Sequence, residues 1–169
     1  WLSFRPENFN RSELAVAGLD IIMLPMAGAF RGQPAEGLTL TPLLTAGAGA
    51  GLMSAMEATM GASAGASSFQ RAAEPLNVAV RLTGTFKTAF PEGRPQDEDR
   101  PADVPGAPSK GAGLKESAQP GAVVLVGDVD LLSEAYSVRR LPAFGRAAYQ
   151  LLNDNVSFVA NLAGQMAGN

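Results

Sequence analysis

The order of apolar and polar residues divides the chain into short strands, a terminal helix and two stretches with little to bury. The clearest alternation is LNVAVRLTGTFKTAF (76–90), which sets Val78, Val80 and Leu82 on one face of a strand and Ala79, Arg81 and Thr83 on the other. Gly84 then allows a bend or bulge. In GAVVLVGDVDLL (121–132) the unbroken run Val123–Val126 predicts a strand buried on both faces. LDIIMLPMAGAF (19–30) predicts a buried strand that ends or bulges at Pro25, and LTLTPLLTA (38–46) a second strand. NDNVSFVANLAGQMAG (153–168) places Val156, Val159, Leu162, Ala163 and Met166 on one helical stripe. Asn153, Asp154 and Asn155 are its capping candidates, and Gly168 can end it.

Between these elements the pattern weakens. Residues 1–13 read as an entry loop, with Asn10 or Ser12 able to cap a short helical turn. Residues 46–68 are mostly Ala, Gly, Ser and Met, which predicts a loop with a short Met-bearing helical turn (Met53, Met56, Met60). AGAGAG (46–51) has GxGxG spacing, not GxGxxG, and no acid follows about 20 residues on, so it does not make a dinucleotide loop. From Pro91 to Pro120 there are six prolines, six acids and four bases, with Val104 and Leu114 the only larger aliphatics. Such a segment cannot offset its own ordering entropy and predicts a flexible linker at 91–120 that interrupts one domain. Strands mixed with helices give an α/β fold class: a layered mixed sheet with flanking helices.

Composition narrows the chemistry. With 169 residues, 46% apolar and 17% charged, the chain can bury a core as a single domain, 1–169. Its net charge of −3 and lack of a Lys/Arg cluster in sequence argue against nucleic acid and against an anionic membrane surface. Cysteine and histidine are both absent, which excludes disulfides, Cys/His zinc sites and any Ser-His-Asp or Cys-His machinery within these residues. No apolar run approaches the roughly 18 residues of a spanning helix. The start at Trp1 is expected of a piece excised from a longer protein.

The candidate chemistry is Asp128 and Asp130, directly after the apolar run. Acids at the carboxyl end of a sheet strand sit where α/β folds hold ligands, and a DxD pair can hold Mg²⁺ with a phosphate. The competing reading is structural. Gly127 turns the chain, Asp128 accepts backbone N–H bonds, and Asp130 caps a helix starting at Leu131 whose end, Arg139–Arg140, complements its dipole. Lys87 at a strand end is the other place an anion could meet, and Trp1 and Phe4 are expected either to pack on the core or to mark where upstream chain joins.

Several segments resemble one family. VVLVGDVDLLSEAY, then Phe144–Gly145, then LNDNVSFVANLAGQMAG are similar to the C-terminal part of the gliding-motility-type ABC transporter auxiliary family. Phe158, Asn161 and Gly164 occupy part of its helix pattern. VRLTGTFKTAFPEG resembles its G-x-F-x-S-x-F-P strand, with Thr88 at the serine. FRPENFN and GLDIIMLPMAGAF resemble its upstream segments, with Glu7 at the acid position.

The resemblance implies a Rossmann-like, glutamine-amidotransferase-like layering that forms part of a larger domain. It implies an inner-membrane anchor, exposure to the periplasm, and the ABC permease and ATPase subunits as partners. The role it implies is non-enzymatic and without a cofactor: binding a partner or ligand, with Asp128 and Asp130 as the ligand-binding candidates. Three alternatives stand beside it: a carbohydrate or small-ligand module using the turn after Val126, a Mg²⁺-dependent phosphoryl-transfer or hydrolase domain on Asp128 and Asp130, and a self-associating scaffold whose open strand edges pair with a copy of itself, as a homo-oligomer, or with the permease.

Overall fold

The computed structural model describes residues 2–60, 69–92, 114–143 and 146–168. Among the described residues, nine strands and three helices run in the order β1 (Leu2–Phe4), β2 (Ile22–Leu24), β3 (Leu38–Thr45), β4 (Gly51–Leu52), α1 (Ala55–Met60), β5 (Gln70–Arg71), β6 (Asn77–Gly84), β7 (Gly121–Val126), α2 (Glu134–Ser137), β8 (Val138–Ala143), β9 (Arg146–Leu151) and α3 (Asn155–Met166). They form a mixed α/β domain of several small sheets. All pairings among the described residues are antiparallel: β3-β6-β7, β1-β2, β4-β5 and β8-β9. They do not display the parallel order of a Rossmann-like sheet.

β6 is the centre of the largest sheet, and there the alternation proves incomplete. Val78, Ala79 and Val80 are all buried, so both faces of this strand are covered. The doubly covered strand is therefore β6 and not β7. On β7, Val124 and Val126 turn inward while Val123 and Leu125 are exposed, because β7 is an edge strand with one face on the core. A β-branched run favours a strand but does not count its covered faces. In β3 the register slips between Pro42 and Leu44, and this bulge lets consecutive Leu43 and Leu44 both reach the interior. The outer edge of β3 is covered by the entry segment. Asn10 N–H donates to the Leu43 carbonyl (3.0 Å), and the Asn8 and Asn10 side-chain amides donate to those of Thr45 and Pro42.

The entry segment is thus more than a loop. It includes β1, a 3-10 turn (Pro6–Asn8) and the buried Phe4 and Phe9, and a second 3-10 turn (Leu14–Val16) follows directly. Asn10 forms an Asx turn, its side-chain oxygen accepting from the Ser12 N–H and hydroxyl. The strand expected over 19–30 is confined to Ile22–Leu24, ending just before Pro25. In the Met-bearing segment α1 forms as expected, with the Ser54 hydroxyl accepting from Glu57 N–H and donating to the Glu57 carboxylate.

β6 and β7 are sheet neighbours, so the expected linker is an excursion within one antiparallel pair. Its flanks continue the pairing: Ser117 N–H donates to the Phe86 carbonyl and Thr88 N–H to that of Lys115, both at 2.8 Å. Residues 93–113 of the linker lie outside the described residues.

Two helical expectations change. No helix begins at Leu131: residues 129–132 form a turn, α2 is a single turn, and Val138–Ala143 is a strand. Arg139 and Arg140 are therefore strand residues, not complements of a helix end, because the segment meets 146–151 in a six-pair ladder. In α3 the inward stripe is Asn155, Phe158 and Leu162 with Val159 partly buried, whereas Val156 and Met166 are exposed. Asn155 is held inside by hydrogen bonds, and that sets the phase of the helix.

Candidate functional site

The turn after β7 uses its first aspartate fully. Asp128 is buried, and its two carboxylate oxygens accept from different backbone N–H groups: Oδ1 from Asp130 at 2.8 Å, Oδ2 from Met26 at 3.0 Å. The first bond closes the local turn. The second spans the fold and fixes the segment after β2. Gly127 reinforces that crossing, since its carbonyl accepts from Gly28 N–H at 2.7 Å and its own N–H donates to Val78 at 2.9 Å. A side chain on Gly127 would collide with the Gly28 carbonyl. Asp130 contributes its backbone, the carbonyl accepting from Ser133 N–H at 2.9 Å, and it caps no helix at Leu131. Asp128 and Asp130 thus stand together at a strand-to-turn junction, with one side chain engaged in holding backbone. Among the described residues no three acids converge as a metal ligand set.

A second polar centre lies at Asn153-Asp154-Asn155. Asn155 is fully buried. Its Oδ1 accepts from Met23 N–H (2.9 Å), and its Nδ2 donates to the carbonyls of Met23 (2.7 Å) and Leu131 (2.8 Å). The side chain behaves as an extra residue paired along β2 while also gripping the turn after Asp128. Asp154 Oδ2 accepts from the N–H groups of Asp20 and Ile21, and Asn153 Nδ2 donates to the Tyr136 carbonyl. Three consecutive residues so tie α3 to β2, to the Asp128 turn and to α2. Sequence reasoning read them as caps alone. The signal available was two amides beside the first turn of an apolar helix. The Arg81–Glu13 ion pair (2.8 Å) was likewise missed; it joins β6 to the segment before the second 3-10 turn.

Among the described residues, one concave feature is an apolar groove of about 980 Å³. One wall is the segment after β2, from Pro25 to Ala29, which Asp128 and Gly127 hold in place. The other is the Ala/Gly-rich stretch from Ala46 through α1, closed by Phe69. Leu76 and Val78 line it from the end of β6, and Glu7 carries the one carboxylate among its lining residues. Small side chains at 46–50 keep the space open, and Gly51 lets β4 pass against the Gln70 carbonyl without collision. Met26 and Met53 stand exposed along its rim. Lys87 lies away from this lining and pairs with Glu36 at 3.4 Å, both exposed.

The structure thus defines an antiparallel mixed α/β domain with an apolar groove and a turn whose first acid bonds backbone. The family follows from comparison: residues 1–162 match the model of the ABC transporter auxiliary family, described as an ABC-type uncharacterized transport system, and the chain belongs to that family. No curated protein matches it significantly, and no solved structure does. The protein is thus an auxiliary component of an ABC-type transport system, which makes permease and ATPase subunits plausible partners.

Proposed function

We propose that this domain works by binding, as the extracytoplasmic part of a gliding-motility-type auxiliary component anchored in the inner membrane, and that it seats an apolar segment of its permease partner in the groove. The observation that carries the reading is the groove itself, about 980 Å³ and lined mainly by Leu, Met, Phe, Ala and Gly. The absence of Cys and His from the sequence, and the use of both Asp128 oxygens on backbone N–H groups, favour binding over turnover. In the larger protein the domain adjoins further Rossmann-like, amidotransferase-like layers, as the resemblance implies.

The test titrates the domain with the purified permease–ATPase complex. Saturable binding that Ala50→Trp blocks supports the reading. Turnover that requires Mg²⁺ and is lost in Asp128→Asn and Asp130→Asn would replace it with the phosphoryl-transfer alternative. A melting temperature raised by sugars and insensitive to Ala50→Trp would replace it with the carbohydrate module.

A further inference from the structure

The β8–β9 ribbon stands apart from the groove and carries its own chemistry. Beyond α2, no element makes a substantial contact with it among the described residues. An isolated two-stranded ribbon is marginal by itself and leaves two edges of unpaired backbone. The bond from Leu152 N–H to the Ser137 carbonyl (3.0 Å) sets the alternation of the ladder. Arg139–Gln150 and Leu141–Ala148 are then the internally bonded pairs, and positions 138, 140 and 142 of β8 and 147, 149 and 151 of β9 turn their backbone groups outward.

The two edges are unequal. On β8, Val138 N–H already donates to the Glu134 carbonyl, and Pro142 has no N–H to offer. On β9, the outward N–H and C=O groups of Ala147, Tyr149 and Leu151 form a complete row with no such device among the described residues. Tyr149 and Leu151 are 60% and 53% exposed. Residues 138–151 hold three arginines and no acid, in a chain of net charge −3. Arg139 and Arg140 are exposed and make no ion pair among the described residues. As successive strand residues they flank β9 from opposite faces.

We infer that the free edge of β9 is a docking site for an extended acidic segment of a partner protein, which adds as a third strand. Its backbone satisfies the outward N–H and C=O groups, and its apolar side chains cover Tyr149 and Leu151 on the face that Arg140 shares. Its carboxylates, on the opposite face, meet the field of Arg139 directly and that of Arg140 across the ribbon. A strand added there lies two strand spacings from β8, about 10 Å, within one Debye length at about 0.1 M salt. A bilayer offers no partner for unpaired backbone groups. A second copy pairing β9 to β9 would bring two arginine-bearing ribbons together, which like charges oppose.

The probe is a capped, labelled peptide of about ten residues alternating Val and Glu, compared by fluorescence anisotropy with its Val/Lys counterpart. The Val/Glu peptide is expected to bind the 169-residue chain saturably and about tenfold or more tighter than the Val/Lys peptide. The double variant Arg139→Glu/Arg140→Glu, at two exposed positions, should reverse that preference. Tyr149→Pro should weaken both peptides, since it removes an edge N–H without touching an internal ladder bond; a circular-dichroism melt confirms that each variant is folded. Equal affinity for the two peptides, or none for either, would overturn the inference. So would binding to vesicles containing about 30% phosphatidylglycerol in place of the peptide, or concentration-dependent dimerisation in light scattering that the peptide does not disturb.

Discussion

At the residue scale the fold depends on a few polar side chains that bond backbone far away in sequence. Asp128 reaches Met26 across 102 positions, and Asn155 reaches Met23 across 132. Removing the Asp128 carboxylate leaves two N–H groups without their acceptor, so Asp128→Ala is expected to lower stability by about 2–3 kcal/mol in urea denaturation. Asp130, whose role is through its backbone, predicts a change within about 0.5 kcal/mol for Asp130→Ala. Equal losses for the two variants would mean that the Asp130 side chain is also engaged. Asn155 makes three side-chain hydrogen bonds while fully buried, so Asn155→Ala is expected to cost about 3 kcal/mol or more. A thermal melt should show that loss directly; a small change would mean that water replaces the amide.

At the scale of elements, the crossing of Gly127 over Gly28 joins the sheet to the groove wall. A methyl at Gly127 meets the Gly28 carbonyl oxygen, whereas one at Gly28 meets only the Gly127 oxygen at 3.6 Å. Gly127→Ala is therefore expected to destabilise by about 1–3 kcal/mol through overpacking, with Gly28→Ala nearly neutral. Comparing their denaturation midpoints checks the asymmetry. The β6–β7 pair makes a second case. Because the flanks at Phe86–Thr88 and Lys115–Ser117 pair directly, joining Glu92 to Leu114 through a two-glycine link should keep the fold and change stability by less than about 1 kcal/mol. Loss of cooperative unfolding would show that the excised residues contribute packing.

Much of this scale was legible. The strand at 77–84, the α1 turn and the helix ending near Met166 lie where periodicity placed them. What was not legible depended on partners. Val123–Val126 lies at a sheet edge, a position that four consecutive apolar residues do not reveal. The stretch at 138–140 reads in sequence as the end of a helix, and only the ladder with 146–151 makes it a strand. The phase of α3 followed from bonds that Asn155 makes with residues over a hundred positions away.

At the scale of the whole molecule, the groove is where the small residues acquire a purpose. Taken as sequence, Ala46 to Gly51 looked like a loop without content; in the fold it is the wall that leaves about 980 Å³ open beside Phe4, Met26 and Phe69. Neither wall shows itself locally, since one comes from 25–29 and the other from 46–58, and Asp128 keeps the first in place from a third segment. This arrangement makes space and stability separable. Ala50→Trp adds bulk to the lining without removing a buried contact, so a dye that brightens against apolar surface, such as 1-anilinonaphthalene-8-sulfonate, should lose most of its enhancement, about fivefold or more, while the melting temperature stays within a few degrees. Asp128→Ala should do the reverse first: it lowers stability, and it weakens dye binding only as far as the 25–29 wall loosens. If the dye binds Ala50→Trp as well as it binds the original chain, the groove is not the apolar site, and the exposed Tyr149 and Leu151 of the ribbon become the next surface to block.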